Sequence, residues 1–220
     1  AVILGDIEAS YFSAEQMAML EEFVKIRGGG LLMLGGVNSF GLGKYMNTPV
    51  AKILPLEIGP ADGNYSDEQY KAAIPPDGLR HPVMRLTDEV EASRNIWEKA
   101  PELIGITPVR GVKTGAQVLM TRQKDGKPVL AVQNFGEGRA AAFTSGGSWY
   151  WRMSVPASDE FHERFWKQLI RWLAVGAKQQ ISLETDADVY TTGSHVTLRA
   201  MVLKQDLSPA NDANVVVAVK

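Results

Sequence analysis

The sequence contains no cysteine among its 220 residues. A chain without thiols has no disulfide framework, no cysteine-ligated zinc or iron–sulfur centre and no thiol nucleophile. The absence does not indicate the redox compartment, because a protein without thiols is compatible with a reducing or an oxidising one.

The sequence also has little net charge and no long hydrophobic run. Its 23 Lys and Arg against 25 Asp and Glu give a formal net charge of −2, which predicts no nucleic-acid partner. The longest apolar runs reach about half of the roughly 20 residues that a spanning helix needs, so we expect no direct membrane insertion by this segment. The histidines, His81, His162 and His195, show no metal-ligand spacing, and we expect neither a metal nor another cofactor.

What is present begins with a β–α–β pattern. The apolar runs Val2–Leu4 and Leu31–Leu34 flank a helical pattern that starts at Ser13, has Gln16 in the capping-box position and ends at glycines 28–30. Continuously apolar strands are typical of a parallel sheet that is covered on both faces. The pattern therefore predicts an α/β fold with three layers.

Three strand patterns later in the chain are joined by hairpin signals. Ala116–Arg122, Pro128–Phe135 and Arg139–Thr144 are separated by turns that contain Asp-Gly and Gly-x-Gly. We therefore predict that the sheet gains antiparallel strands late in the domain. An apolar stripe over Phe161–Ala174 then predicts a long amphipathic helix.

The composition changes after residue 176, where residues 177–180 have the character of a linker. Three strand patterns follow, at 181–184, 196–202 and 214–219. Their spacing is typical of the opening of a β-sandwich. We therefore predict two domains, 1–176 and 177–220, of which the second is a partial β-sandwich. Since both ends fall within strand patterns, we expect the chain to be part of a longer polypeptide.

Glycine-rich and aromatic motifs recur in the first domain. They are the run from Phe23 to Gly36, Gly35-Gly36-x-x-Ser39-Phe40-Gly41, the Leu54-Pro55 turn, His81-Pro82, the segment Gly136–Phe143, Ser148-Trp149-x-Trp151-Arg152 and the helix from Phe161 to Leu173. Taken together, these motifs resemble the class I glutamine amidotransferase-like family. More narrowly, they resemble its catalytically degenerate type, which occurs in large, uncharacterised bacterial envelope proteins.

The resemblance implies a flavodoxin-like, mostly parallel sheet without its first strands, followed at 177–220 by the start of an immunoglobulin-like domain. It also implies the soluble, in one reading periplasmic, part of a membrane-anchored protein. The implied partners are other domains of the same polypeptide or other envelope proteins, and the oligomeric state stays open.

Two of the three catalytic elements of that family are missing. Active members place a cysteine on the turn after the strand that matches Leu31–Leu34, and a His-x-Glu pair after a later strand. The thiolate attacks the glutamine amide, the imidazole moves the proton and the carboxylate orients the imidazole. Here the turn is Gly35-Gly36, and the later segment reads Ser145-Gly146-Gly147-Ser148-Trp149. These departures favour a domain that does not catalyse the family reaction.

A crevice at the carboxyl ends of the parallel strands is the candidate binding site. Its glycine-rich loop presents backbone N–H groups that suit an anion, although a tight turn explains the same glycines. Aromatic side chains beside an arginine suit stacking on a sugar, a peptide or a planar group, although plain packing also explains them. The residues of this hypothetical crevice are Asp6, Gly35, Gly36, Asn38, Ser39, Phe40, Ser145, Ser148, Trp149, Trp151 and Arg152.

Two functions stay open at this point. The first is a non-catalytic binding or structural domain of a larger bacterial envelope-associated protein. The alternative is a hydrolase that uses Ser39, Ser145 or Ser148 as its nucleophile, which requires an adjacent base.

Overall fold

The structure is a computed structural model that describes residues 1–60, 63–174, 181–185, 191–193, 195–202, 210 and 213–217. The chain divides into two compact units, Ala1–Ala177 and Lys178–Lys220. None of the helices in the described ranges is long and apolar enough to cross a membrane.

The secondary structure of the described residues is as follows. The strands are β1 (Val2–Gly5), β2 (Gly30–Leu34), β3 (Leu56–Glu57), β4 (Ser66–Tyr70), β5 (Ala72–Ala73), β6 (Leu103–Ile106), β7 (Gly111–Val112), β8 (Gln117–Arg122), β9 (Pro128–Phe135), β10 (Gly138–Phe143), β11 (Ile181–Thr185) and β12 (Leu198–Val202). The helices are α1 (Ala14–Lys25), α2 (Pro49–Ile53), α3 (Pro76–Leu79), α4 (Val90–Lys99), α5 (Trp149–Met153) and α6 (Phe161–Ala174), with short 3-10 turns at Ala9–Tyr11 and Pro82–Met84.

The central sheet of the first unit has the strand order β1-β2-β10-β9-β8-β5. The pairs β1–β2 and β2–β10 are parallel, whereas β10–β9, β9–β8 and β8–β5 are antiparallel. It follows that β1, β2, β10 and β8 run in one direction and β9 and β5 in the other. This confirms the predicted mixed α/β sheet, with parallel strands first and antiparallel strands late in the domain.

Side chains of the sheet alternate between two hydrophobic cores, one on each face. On β2, Leu31 and Met33 belong to the core that contains side chains of α1 and α2, whereas Leu32 belongs to the core that contains side chains of α6. Because successive side chains of a strand point to opposite faces, helices cover both faces of the sheet. The predicted three-layer arrangement is confirmed.

Single residues explain where α1 begins and how closely α6 packs on β2. The Ser13 hydroxyl accepts a hydrogen bond from the Gln16 N–H (3.2 Å), and the Gln16 side chain accepts one from the Ser13 N–H (2.8 Å). This capping box starts α1 as predicted. At the start of β2, a Cβ on Gly30 would overlap the Leu173 carbonyl of α6, so the glycine allows the helix to pack closely on the strand.

A second pair of strands, β4 and β6, lies beside the central sheet. The Thr107 N–H, directly after β6, donates to the Thr144 carbonyl, directly after β10, at 2.8 Å. This bond brings the end of β6 to the carboxyl edge of the parallel strands.

In the second unit, β11 and β12 form one antiparallel pair in which Ile181 lies opposite Val202 and Thr185 opposite Leu198. The third predicted strand, 214–219, is wrong for residues 214–217, which are not in a strand, and its remainder lies outside the described residues. The predicted linker 177–180 also lies outside them. A single pair does not make two packed sheets, so the partial β-sandwich stays a prediction.

Candidate functional site

The carboxyl ends of three adjacent parallel strands meet at one edge of the central sheet. β1 is followed by Asp6, β2 by Gly35 and β10 by Thr144. In open α/β sheets, ligands bind at this kind of edge. This edge is therefore the candidate site, and we call it the carboxyl edge.

The turn after β2 has no room for a side chain. A Cβ on Gly35 would overlap the Thr144 carbonyl oxygen, and a Cβ on Gly36 would overlap the Asp6 carboxyl group, each closer than 3.0 Å. Real Cβ atoms essentially never approach other atoms so closely, and the obstacle at Gly35 is backbone. Neighbouring atoms therefore fill the position at which the resemblance to the amidotransferase-like family would place a nucleophile.

A threonine closes the same turn. The Thr107 hydroxyl accepts a hydrogen bond from the Gly36 N–H (2.8 Å) and donates one to the Gly36 carbonyl (3.0 Å). The side chain is buried, with 1% of its surface exposed. The sequence reasoning missed this residue, because the two partners are 71 positions apart and no local pattern links them.

Asp6 fixes the loop that follows Gly36. Its backbone is left-handed, with φ of 46°, and its Oδ1 accepts a hydrogen bond from the Asn38 N–H at 2.7 Å. The negative charges of Asp6 and Asp67 act on the Tyr65 hydroxyl, and together with the larger effect of burial they raise the pKa of Tyr65. The predicted crevice residues Asp6, Gly36 and Asn38 are therefore brought together.

Two other predicted crevice residues belong to the protein interior. Ser39 and Phe40 are 1% and 0% exposed, and Phe40 packs in the core beneath α1 and α2. The same loop buries Tyr45, whose hydroxyl donates to the Ile7 carbonyl (2.9 Å) and whose pKa is raised by burial to about 12. The prediction that Ser39 and Phe40 face a ligand is wrong, since the loop folds inward and uses them as an anchor.

The serines after β10 hold the backbone together. The Ser145 hydroxyl donates to the Ile104 carbonyl (3.0 Å) and accepts from the Gly147 N–H (3.1 Å). Among the described residues, neither Ser39, Ser145 nor Ser148 makes a side-chain hydrogen bond to a histidine, a lysine or a carboxylate. A serine nucleophile requires such a base, so the geometry gives no support to the hydrolase alternative.

The histidines of the first unit contact the last helix. The His81 ring accepts a hydrogen bond from the Val83 N–H (3.3 Å) and lies edge-on to Trp172 at 5.1 Å. Burial, and secondarily the charge of Arg139, lowers the pKa of His81 to about 4. The His162 ring lies 6.3 Å from that of Trp166. Both rings therefore have structural neighbours, and His195 lies in the second unit.

The aromatic segment after Ser148 divides between core and surface. Trp151 is fully buried and its indole N–H donates to the Pro101 carbonyl (3.0 Å), whereas Trp149 is 56% exposed. The Arg152 guanidinium donates to the carbonyls of residues 156 and 157 at 3.4 and 3.2 Å. The prediction that Trp151 lines a crevice is wrong, because α5 turns its ring into the core, and Arg152 is engaged by its own loop.

A small cavity lies beside Thr107, the residue that closes the turn after β2. The cavity that includes Thr107 and Arg122 has a volume of about 70 Å³, whereas small-molecule sites usually measure roughly 300–1,000 Å³. The Arg122 guanidinium there is paired with Asp125, with Nε 2.9 Å from Oδ1. Within the described ranges, no group of three or more His, Asp or Glu side chains is placed to hold a metal ion.

Comparisons with known proteins agree with the α/β fold of the first unit. Residues 7–175 match the sequence model of a family, GATase1-like, described as "Putative glutamine amidotransferase". A cytoplasmic protein of Salmonella typhimurium is structurally similar, with a TM-score of 0.60, 24% identity, and coverage of 78% of this chain and 70% of its own. A second cytoplasmic protein, from Salmonella typhimurium LT2, has a TM-score of 0.60, 23% identity, and coverage of 78% and 71%. At these identities the likeness concerns the fold alone. No curated protein matches the sequence.

Proposed function

Because the chain belongs to the glutamine amidotransferase-like family, we propose that its first unit is a non-catalytic member that serves as a binding or structural domain. The observation that carries the proposal is the turn Gly35-Gly36. Its two Cβ positions are occupied by Thr144 and Asp6, and its backbone is hydrogen-bonded by Thr107. The sequence also contains no cysteine. The chain therefore has no residue to supply the thiolate that begins the family reaction, and the turn has no room for its side chain.

The exposed groups of the carboxyl edge define what remains available to a partner. Asp6 is exposed, Asn38 is half-buried and Trp149 is 56% exposed. A carboxylate and an exposed indole suit contacts with a polar partner surface. The cavity of about 70 Å³ beside Thr107 is lined by none of these three residues and is too small for a substrate the size of glutamine. We therefore propose surface contact and not enclosure.

The catalytic part of the proposal is tested by a glutaminase assay. The protein is incubated with L-glutamine, ammonia release is followed with a coupled dehydrogenase, and an active class I amidotransferase serves as the positive control. We expect no rate above buffer. Glutamate formation that is proportional to protein concentration and is lost in Ser145→Ala would contradict the proposal and revive a serine nucleophile.

An attempt to restore the nucleophile tests the reason for the inactivity. We expect Gly35→Cys to be inactive and poorly folded, because its Cβ would overlap the Thr144 carbonyl. Val37→Cys is the matched control, since residue 37 is 54% exposed and accepts a side chain. It should fold normally and stay inactive. A folded, glutamine-hydrolysing Gly35→Cys would show that the turn is not closed.

We further propose that the domain belongs to a larger bacterial envelope-associated protein, with residues 177–220 as the start of an immunoglobulin-like domain. The support is the resemblance of residues 35–41 and 148–173 to such proteins and the β11–β12 pair. Fractionation of cells that produce the natural protein should recover it with the envelope. Recovery in the cytosolic fraction alone would overturn this location.

A further inference from the structure

A larger cavity lies beside β5, the edge strand of the central sheet on the side away from β1. Its volume is about 250 Å³, and its walls come from the segment around β5 and from one side of α4. This volume lies just below the roughly 300–1,000 Å³ of usual small-molecule sites, so the cavity suits only a small ligand. Because β5 is the last strand of the sheet and β1 the first, this cavity is separate from the carboxyl edge.

Charged groups of both signs surround an apolar floor in this cavity. The lining includes the cations Lys71 and Arg94, the anion Glu98 and the apolar side chains Ile74 and Trp97. The Trp97 indole N–H donates to the Met84 carbonyl at 2.8 Å, so the ring offers the cavity an apolar surface. One Lys71 N–H donates to the Ala100 carbonyl, and an ammonium group has three N–H donors. The cations therefore come from two segments, Lys71 beside β5 and Arg94 on α4, and the Glu98 carboxylate lies one helical turn from Arg94.

The Arg94 side chain carries the most informative atom. Its Nε atom is buried and makes no hydrogen bond. Among the residues that the structure describes, it is the one buried side-chain nitrogen or oxygen atom in this situation. Glu91 lies nearby, with Oε2 3.2 Å from Nε, but the contact is an ion pair without the alignment of a hydrogen bond. The Nε–H group therefore has a carboxylate beside it but no aligned acceptor, and a buried donor gains stability from an aligned one. An anion in the adjoining cavity would supply the acceptor.

The open edge of β5 adds a second recognition element. Ala72 lies opposite Arg122, and the Gln123 N–H donates to the Lys71 carbonyl at 3.0 Å. In an antiparallel pair the hydrogen-bonded residues alternate along the strand. The backbone N–H and carbonyl of Ala72, which also lines the cavity, consequently point away from β8 and toward the open edge.

We propose that this cavity binds a small α-amino acid with an apolar side chain. The Arg94 guanidinium and the Lys71 ammonium bind its carboxylate, and the Glu98 carboxylate binds its ammonium group. Trp97 and Ile74 contact its side chain. A zwitterion fits these charges better than a simple anion does, because Glu98 attracts an ammonium group and would repel a ligand that carries only negative charge. This inference is independent of the proposed function, since it uses no residue of the carboxyl edge.

Isothermal titration calorimetry with three matched probes tests the proposal on the full chain. L-Leucine carries both charges, 4-methylpentanoate carries only the carboxylate and 3-methylbutylamine carries only the ammonium group. We expect saturable binding of L-leucine that is at least about tenfold tighter than that of either single-charge probe, because each charge-assisted contact is lost separately.

Three variants separate a site from an unspecific effect. Arg94→Gln should weaken L-leucine about tenfold or more, and Glu98→Gln should weaken L-leucine without weakening 4-methylpentanoate. Arg164→Gln is the matched control. Arg164 lies on α6 and forms an ion pair with Glu160, and its side chain is 50% exposed, against 42% for Arg94. It should leave binding unchanged. The proposal fails if L-leucine shows no saturable heat at millimolar concentration, if Arg94→Gln binds as the wild type does, or if Arg164→Gln weakens binding equally. A thermal melt of each variant ensures that a loss of binding is not a loss of fold.

Discussion

Replacement of Thr107 by valine should destabilise the first unit through the turn after β2. Valine has nearly the volume of threonine, so Thr107→Val leaves no cavity and removes only the hydroxyl. That hydroxyl is buried and bridges the N–H and the carbonyl of Gly36 at 2.8 and 3.0 Å. The variant therefore leaves both backbone groups of one buried glycine without these partners.

The size of the effect follows from the two lost bonds. A buried donor or acceptor that loses its partner costs about 1–3 kcal/mol. The removal of a buried hydroxyl from an apolar site offsets part of this, so we expect a loss of about 2–4 kcal/mol in the free energy of unfolding. This is a large part of the roughly 5–15 kcal/mol that stabilises a typical domain.

Urea unfolding followed by tryptophan fluorescence measures this change in the first unit alone. All 5 tryptophans lie between positions 97 and 172, and the first unit extends to Ala177. With an m value of about 2 kcal/mol per molar urea, a loss of about 3 kcal/mol lowers the midpoint by about 1.5 M. The m value itself should not change, because the folded state stays compact.

The same substitution at Thr121 is the control. Its hydroxyl makes a single long hydrogen bond, 3.4 Å to the Ala73 carbonyl, from a half-buried position. Thr121→Val should cost less than about 1 kcal/mol. If Thr107→Val costs less than about 1 kcal/mol, or no more than Thr121→Val, then the Thr107 hydroxyl does not hold the turn after β2 in place.

Three further predictions concern the core, a titrating group and a helix end. His81 has a folded pKa of about 4 against 6.5. As the pH falls from 6.5 toward 4, the unfolded chain takes up the proton before the folded chain does, so the free energy of unfolding decreases. His81→Gln removes this titrating group. After allowance for partial burial, the variant should lose about 1–2 kcal/mol less than the wild type between pH 7 and pH 4.5 in urea titrations. Trp151→Ala should cost about 3–5 kcal/mol by circular dichroism, whereas Trp149→Ala, at an exposed ring, should stay within about 0.5 kcal/mol, and equal losses would contradict the assignment of their faces. Ser13→Ala should cost about 1 kcal/mol by thermal unfolding through loss of the capping box, and an unchanged midpoint would contradict that role.

Sequence patterns predicted the elements whose cause is local. The capping residues Ser13 and Gln16, the turns after 124 and 136, and the apolar stripe of α6 each lie within a few positions of the structure that they specify. The same patterns gave no prediction of β4. Its sequence Ser66–Tyr70 has three exposed residues in a row, so no apolar alternation marks it, and its pairing with β6 joins distant parts of the chain.

Neighbouring aromatic residues show why side-chain direction was harder to predict. Trp149 and Trp151 lie two positions apart in the five-residue helix α5, yet one is 56% exposed and the other fully buried. In a helix, two positions correspond to a rotation of about 200°, so only one of the two rings faces the core. The turn that starts α5 packs directly against β6, since a Cβ on Gly147 would overlap the Ile104 carbonyl, and this contact joins residues that are distant in the sequence.

At the candidate site, the sequence shows that the cysteine is missing, and the structure shows why the turn cannot accept one. The missing cysteine was visible in the sequence, and it excluded a thiolate without indicating whether one substitution would restore it. The structure supplies the reason to expect that it would not. At Gly35 the obstacle is the backbone carbonyl of Thr144, which is itself hydrogen-bonded to the end of β6 at residue 107. A side chain at this turn therefore requires the end of β10 to move together with the end of β6. Such a coupled movement of two strand ends is a change of the scaffold, and it separates this turn from an active one by more than the identity of one residue.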